Sequence, residues 1–492
     1  MSPALLTRGR ATDYAPVPVR TRSVPVGLAT TVLVWLARRL VRAVVLIVRT
    51  PLLLACTLVI IGLGILRAWL GWWPALAVLL AVVAGLVGWR LRWPACFGAV
   101  VGDRARSLGH WFWTYRRFWQ PAMVTANLAQ HRDGTEHLPQ LLGVRSSRWV
   151  DRVRVRLLPG QTLADWGDKA DRLAQSFAVG VCRVHSTKDV QVIELWALRR
   201  DPLSDPVQPV TPDALDLDGL EVGIAEDGSA FRLGLRGQHL LAVGGTGSGK
   251  STFVHSLINQ LSPGLVDGSV LLWVIDPKGG MELAPCQALF DRFAYGNLDG
   301  PEAWEEAFAV LLEDAVQVMR ERQNLLRGVT RLHRPAPGDP LLVVVIDELA
   351  SLTAYVSDRN LGKRINAALS LLLSQGRAVG VSVVAAVQDP RKDAIPFRDL
   401  FSIRICLRVT EAEHVILTLG SGARARGAQA DMIRRDMPGV GFVQVDGVPE
   451  PVRVRFAHIT DADIAALVTK ITTRGTKVNS ADDDHRIGGG RG

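Results

Sequence analysis

The sequence predicts an α/β protein built on a doubly wound parallel sheet, with a small α+β unit and a two-helix apolar hairpin ahead of it. Three observations lead there. After residue 235, the apolar runs "HLLAVGG", "VLLWVIDPKGG", "LLVVVIDELA", "VSVVAAVQDP" and "IRICLRV" suit strands buried on both faces, and helical stretches such as "PEAWEEAFAVLLEDAVQVMRERQNLL" alternate with them. The stretch "GGTGSGKS" at 244–251 matches G-x-x-x-x-G-K-[ST] between a strand and a helix, the context a phosphate-binding P-loop requires. Two uncharged runs, 51–66 and 74–89, stand side by side near the N-terminus.

In chain order, residues 1–45 are basic and rich in Pro, Arg and Thr, a composition that reads as disordered. A transmembrane hairpin is expected over 46–92, its runs flanked by Trp69, Trp72, Trp73 and Trp89 as at a membrane interface. Arg38, Arg39, Arg42 and Arg49 precede the first run, and Arg90, Arg92, Arg104 and Arg106 follow the second. Only Arg67 falls in the turn "RAWLGWW", so the positive-inside rule predicts a multi-pass cell-membrane protein with both termini cytoplasmic. A cleaved signal peptide is not expected ahead of a run that begins so far into the chain.

Residues 93–145, with "HWFWTYRRFWQP", are expected as a juxtamembrane linker, read first as an interfacial helix, with a DNA-facing element or a packed linker as alternatives. Alternation, helical spacing and alternation again place a small β-α-β-β subdomain at 146–202, followed by a Pro- and Asp-rich linker at 203–222. The nucleotide-binding domain then takes 223–465, and 466–492 reads as a disordered tail.

The formal charge of +10 points to polyanions, either nucleic acid or an anionic membrane face. Cys56, Cys96, Cys182, Cys286 and Cys406 are scattered, without a C-x-x-C pair, which excludes a disulfide framework or a structural zinc site and fits a reducing cytoplasm.

The P-loop pattern assigns ATP to Gly244, Gly245, Thr246, Gly247, Ser248, Gly249, Lys250, Ser251 and Thr252. Glycines let backbone N–H groups wrap phosphates, Lys250 reaches the β- and γ-phosphates, and Ser251 ligates Mg²⁺. Such a loop needs a carboxylate at the end of a neighbouring apolar strand, and "LLVVVIDE" supplies Asp347 for Mg²⁺ and Glu348 as the base or orienter of the attacking water. Gln388 ends "VSVVAAVQ", where it either holds its amide near the γ-phosphate or only closes a strand. Arg377 in "SQGRAVG" and Arg404 in "FSIRICLRV" are each either surface arginines or fingers that reach a phosphate across a subunit boundary.

Taken together, "HLLAVGGTGSGKST", "VIDPKGG", "VVVIDELASLTAY", "QGRAVGVSVVAAVQDPRKD", "FRDLFSIRICLRVTEAE" and "LGSGARARGA" resemble the FtsK/SpoIIIE motor family over roughly residues 145–465. Within it the likeness is to the TraB/TraSA-type plasmid transfer proteins of actinobacteria. The resemblance implies a RecA-like motor that assembles as a homo-hexamer around double-stranded DNA and translocates it with ATP. It also implies that Gln388 senses the γ-phosphate and that Arg377 or Arg404 is the finger acting in trans. Family members often end in a winged-helix module that reads DNA sequence. Residues 461–492 are too few for one, so a separate DNA-loading protein is expected as a partner. The function expected is a membrane-anchored, hexameric, ATP-driven DNA translocase for conjugative transfer. The alternatives are the ATPase of a protein secretion system and a chromosome-segregation motor. A solute pump ranks well behind these, because "LLSQGRA", which faintly echoes the ABC signature, follows the Asp347 strand instead of preceding it.

Overall fold

The computed structural model describes residues 51–132, 135–296, 300–391, 395–448 and 450–473. The readings of 1–45 and of the tail beyond 473 lie outside them, as do Arg38, Arg39, Arg42 and Arg49. The chain divides into two compact units, Met1–Arg200 and Asp201–Gly492.

The first unit opens with two helices, α1 (Pro51–Leu70) and α2 (Trp72–Arg92), packed against each other. Each is long and apolar enough to cross a membrane, and almost none of either is buried. The turn expected over 67–73 shrinks to Gly71, whose φ of 86° only glycine adopts freely. Nothing else in "RAWLGWW" breaks a helix, so the Trp residues extend the two spans. Arg67 folds back with its guanidinium 3.7 Å over the Trp72 ring.

Helical segments then follow from Pro94 to Thr125, with π-type turns at Gly98–Gly102 and Trp111–Tyr115. This part of the expected linker is only partly a linker. Tyr115, Trp119, Ala122, Met123 and Ala126 recur at helical spacing, and all are buried in a core with Trp166, Leu173 and Phe177. The sheet above that core is antiparallel, in the order β1 (Gln140–Ser146), β2 (Val150–Arg156), β4 (Val192–Leu198), β3 (Val181–Ser186). The subdomain therefore starts before 146. "QLLGVRS" hid its first strand because Gly143 and a bulge between Leu141 and Gly143 interrupt the alternation.

The second unit carries ten strands in one mixed sheet. In chain order they are β5 (Leu220–Ala225), β6 (Ala230–Leu233), β7 (Leu240–Val243), β8 (Val270–Asp276) and β9 (Arg292–Tyr295). Then come β10 (Leu341–Ile346), β11 (Val381–Val387), β12 (Ile403–Leu407), β13 (Val440–Val445) and β14 (Val452–Phe456). Across the sheet the order is β9-β8-β10-β11-β7-β12-β13-β14-β5-β6. The half from β9 to β12 is parallel, and β13, β14, β5 and β6 extend it antiparallel.

Helices cover both faces, as a sheet buried on two sides demands. On one face α4 (Pro301–Leu326) and α5 (Arg359–Gln375) pack against β10 and β11. On the other lies α3 (Lys250–Asp267), together with a helix over 461–473 that buries Ile464, Leu467 and Ile471. That last helix moves the end of the domain past 465. Its start is a reciprocal cap: Asp463 Oδ2 accepts from Thr460 N at 2.9 Å, and Thr460 Oγ1 accepts from Asp463 N at 3.2 Å.

Candidate nucleotide site

The loop 244–249 joins the C-terminal end of β7 to the N-terminus of α3. Strand β7 lies between β11 and β12, and both neighbours hold the loop's entry: Gly244 N donates to Val387 O at 3.1 Å and Gly245 N to Arg408 O at 3.0 Å. The loop turns through left-handed backbone at Gly247 (φ 66°) and Gly249 (φ 96°). The first-turn N–H groups of α3 have no partner within the helix, and the helix dipole adds partial positive charge there. Lys250 is buried, its Nζ donating to Gly244 O at 2.8 Å. Burial, and then the nearby charge of Lys278, lowers its pKa. Ser248 is buried as well, its N–H donating to Gly245 O at 3.1 Å, whereas Ser251 and Thr252 stay partly accessible.

Asp347 and Glu348 follow β10, and both are buried. Strand β11 separates β10 from β7, which places the two acids across from the loop at the same strand ends. Glu348 Oε1 accepts from Gln388 N at 3.2 Å, while the Gln388 amide oxygen accepts from Thr246 Oγ1 at 3.4 Å. Gln388 thus spans from the loop to the acid. Burial raises the Glu348 pKa, against the pull of Lys278 and the Gln388 N–H.

Two further groups at these strand ends escaped sequence reasoning. Lys278 Nζ lies 2.8 Å from Asp347 Oδ2 and 3.4 Å from Glu348 Oε2. Burial disfavours its charge, but the hydrogen bond to Asp347 and the attraction of both acids outweigh that and raise its pKa. Arg408, directly after β12, donates from Nη2 to Thr246 O at 2.8 Å. The available signal was positional: ligands of open α/β sheets gather beyond the strands' carboxyl ends, where "VIDPKGG" and "IRICLRV" place Lys278 and Arg408.

The two arginines proposed as fingers are elsewhere. Arg377 lies in the turn before β11 and donates from Nε to Gly237 O at 2.7 Å, ahead of β7. Arg404 is the second residue of β12, opposite Leu241 and Gln444, half-buried, with its pKa lowered by burial against the attraction of Asp399. Both sit toward the strands' amino ends, so neither is brought to the chain's own P-loop. From Arg404 to the loop end of β12 at Leu407 is about 10 Å at strand spacing.

The residues fit a magnesium nucleotide. Left-handed glycines and the helix-end N–H groups would cradle phosphate oxygens, and Asp347 lies at the neighbouring strand end. A third buried acid, Asp276, ends β8 with an Oδ2 that has no hydrogen-bond partner among the described residues. Those residues contain no group of three His, Cys, Asp or Glu able to cage a metal. That suits Mg²⁺, which P-loop sites hold with one or two protein ligands, phosphate oxygens and water.

Residues 221–339 match the FtsK/SpoIIIE family model. Transfer protein TraSA of Streptomyces ambofaciens is 28% identical over 374 residues, covering 72% of this chain and 86% of that protein. DNA translocase FtsK of Staphylococcus epidermidis is 27% identical over 273 residues, covering 51% of this chain and 32% of FtsK. The chain thus spans less than a third of that FtsK. Among solved structures, the pCW3 conjugation coupling protein TcpA, in monomer form with ATPγS, is 18% identical with a TM-score of 0.48, covering 73% of this chain and 98% of TcpA. The segment that carries the glycine-rich loop and strands β7 to β9 is thus similar to the FtsK/SpoIIIE family, and the paired acids follow just after the matched residues.

Proposed function

We propose that this protein is a membrane-anchored ATPase that translocates double-stranded DNA as a homo-hexamer during conjugative transfer. The observation that carries the reading is the meeting of the P-loop, Asp347, Glu348 and Gln388 at one set of strand ends inside an FtsK/SpoIIIE domain. The named activity of FtsK supports DNA as the substrate, and that of TraSA supports transfer. Helices α1 and α2 serve as the anchor, with both termini and the nucleotide site in the cytoplasm.

In this reading Gly244–Thr252 hold the ATP phosphates and Lys250 places its charge against the β- and γ-oxygens. Ser251 and Asp347 hold Mg²⁺, which when bound neutralises phosphate charge. Glu348 accepts the proton of the attacking water, a task for which burial tunes it upward from the ordinary carboxylate range. Gln388, tied to both Thr246 and Glu348, reports the state of the γ-phosphate to the rest of the sheet. Arg377 or Arg404 of a neighbouring subunit completes the charge around that phosphate, and a separate protein loads the DNA.

Displacement of a triplex-forming oligonucleotide from duplex DNA tests the reading, because it registers movement along DNA and not mere binding. ATP-dependent displacement by the purified full-length protein is expected. Hydrolysis without displacement on any duplex overturns it in favour of a protein-secretion ATPase. Displacement that depends on a chromosomal recognition sequence favours a segregation motor.

A further inference from the structure

Lys278 reaches both acids of the site from a separate strand. Strands β8 and β10 are parallel with Ile275 opposite Ile346, so the chain leaves β8 at Asp276 beside Asp347. Asp276 Oδ1 accepts the Lys278 N–H at 2.9 Å and fixes the turn. The ammonium then lands 2.8 Å from Asp347 Oδ2 and 3.4 Å from Glu348 Oε2. Gly279 (φ 83°) and Gly280 (φ 78°) follow in left-handed backbone, which makes a ready hinge. The lysine side chain keeps 33% of its surface exposed, while the acids keep 2% and 8%. It has an exit; they do not.

Two adjacent buried carboxylates, with Asp276 close by, repel one another in a site from which water is largely excluded. Lys278 removes that conflict, but it does so on the Asp347 carboxylate that a divalent cation needs. We propose that Lys278 is a built-in counter-ion that competes with the metal for Asp347 and yields it only when metal and nucleotide phosphates arrive together. It is a positioning residue: it holds Asp347 and Glu348 aligned, and it keeps the metal from binding alone. The proposal rests on the assignment of Asp347 as the metal carboxylate.

The test is Mn²⁺ binding to full-length protein without nucleotide, read by electron paramagnetic resonance, for wild type, Lys278→Met and Lys278→Arg. Removing a charge-assisted competitor should tighten Mn²⁺ binding by about tenfold or more in Lys278→Met, while Lys278→Arg stays near wild type. Unchanged or weaker Mn²⁺ binding in Lys278→Met overturns the proposal. A purely structural ion pair predicts that result, with only a lowered melting temperature. If Lys278→Met does not fold, acylation of Lys278 in the wild type, read by mass spectrometry, decides. It should be several-fold faster with Mg²⁺–ATPγS than without, and equal protection in both contradicts the proposal. Binding of ATPγS is followed in the same samples. Its absence in wild type sinks the nucleotide assignment itself, whereas normal binding with no gain in Mn²⁺ affinity sinks only the role of Lys278.

Discussion

Gly249 and Gly439 meet backbone to backbone: a β-carbon on Gly249 would lie 2.2 Å from Gly439 N and 2.7 Å from its Cα. Gly439 N also donates to Ser248 O at 2.9 Å, so the turn into β13 braces the phosphate loop. At the other end of α3, Gly268 has a similar left-handed backbone (φ 75°) but open space around it. The two positions separate two costs. Gly268→Ala should lose about 1–2 kcal/mol for the left-handed conformation and keep nucleotide affinity. Gly249→Ala should lose about 1–3 kcal/mol more from overpacking and lose ATP binding, as denaturant melts and nucleotide titrations will show.

Lys250→Ala should weaken nucleotide binding, and Glu348→Gln should bind ATP yet turn it over about 10²–10⁴ times more slowly. Near-normal hydrolysis by Glu348→Gln would remove the glutamate from the role of base.

The pH profile carries a separate signature. A base works deprotonated, so the rate falls as pH drops through its pKa. Burial raises the Glu348 pKa above its ordinary 4.5 in the ligand-free protein, so the acid limb of kcat/KM should lie above that value. Glu348→Gln should abolish the limb. Full wild-type activity maintained down to the usual carboxylate range contradicts the assignment.

In the small subdomain, Asp151 is fully buried and accepts from Tyr115 Oη at 2.9 Å, Arg199 Nε at 2.6 Å and His110 Nδ1 at 2.9 Å. Burial pushes its pKa up, but hydrogen bonds from His110 and Ser146 and the Arg199 charge outweigh that and leave it lowered. A carboxyl lowered in the folded state adds stability above its unfolded pKa and loses it as pH falls through the folded one. Asp151→Asn should therefore cost roughly 3–5 kcal/mol at neutral pH. The gap to wild type should narrow below the ordinary value of 3.8, as denaturation across pH will show.

Arg377 and Arg404 lie toward the amino ends of strands whose carboxyl ends carry the P-loop, so a phosphate either one serves belongs to another subunit. Arg377→Ala or Arg404→Ala should spare ATP binding, with the true finger losing about 10³–10⁵ in rate. Mixing that mutant with Lys250→Ala should restore partial turnover. If mixed rings form and nothing returns, neither arginine acts in trans. Arg408→Ala should instead loosen nucleotide binding within its own subunit, and mixing should not repair it.

The parallel half of the large sheet was legible because strands buried on both faces read as unbroken apolar runs, and α4 because its spacing persists over seven turns. Of the antiparallel half, β14 was legible in the alternation of "PVRVRF", but β5, β6 and β13 were not. Strands β5 and β6 alternate weakly around Gly223, where a β-carbon would collide with Arg455 O at 2.1 Å, so the glycine reflects a close strand approach invisible in one dimension. The 461–473 helix was read in part as tail because Thr469, Lys470, Thr472 and Thr473 surround Ile471 and blur its apolar spacing toward the end. At the site, the P-loop and the Asp347–Glu348 pair could be read from local pattern alone. Lys278 could not, because its meaning depends on the register of β8 against β10.

ATP hydrolysis by the full-length protein, measured with and without saturating duplex DNA, bears most directly on the claim that this is a DNA motor. The account predicts stimulation of several-fold or more by duplexes of unrelated sequence. The apparent duplex affinity should fall with salt at a log–log slope of about −0.9 per phosphate contacted. Glu348→Gln should bind the same duplexes without turnover. A hydrolysis rate that duplex DNA leaves unchanged, in protein that binds and turns over ATP, would contradict it.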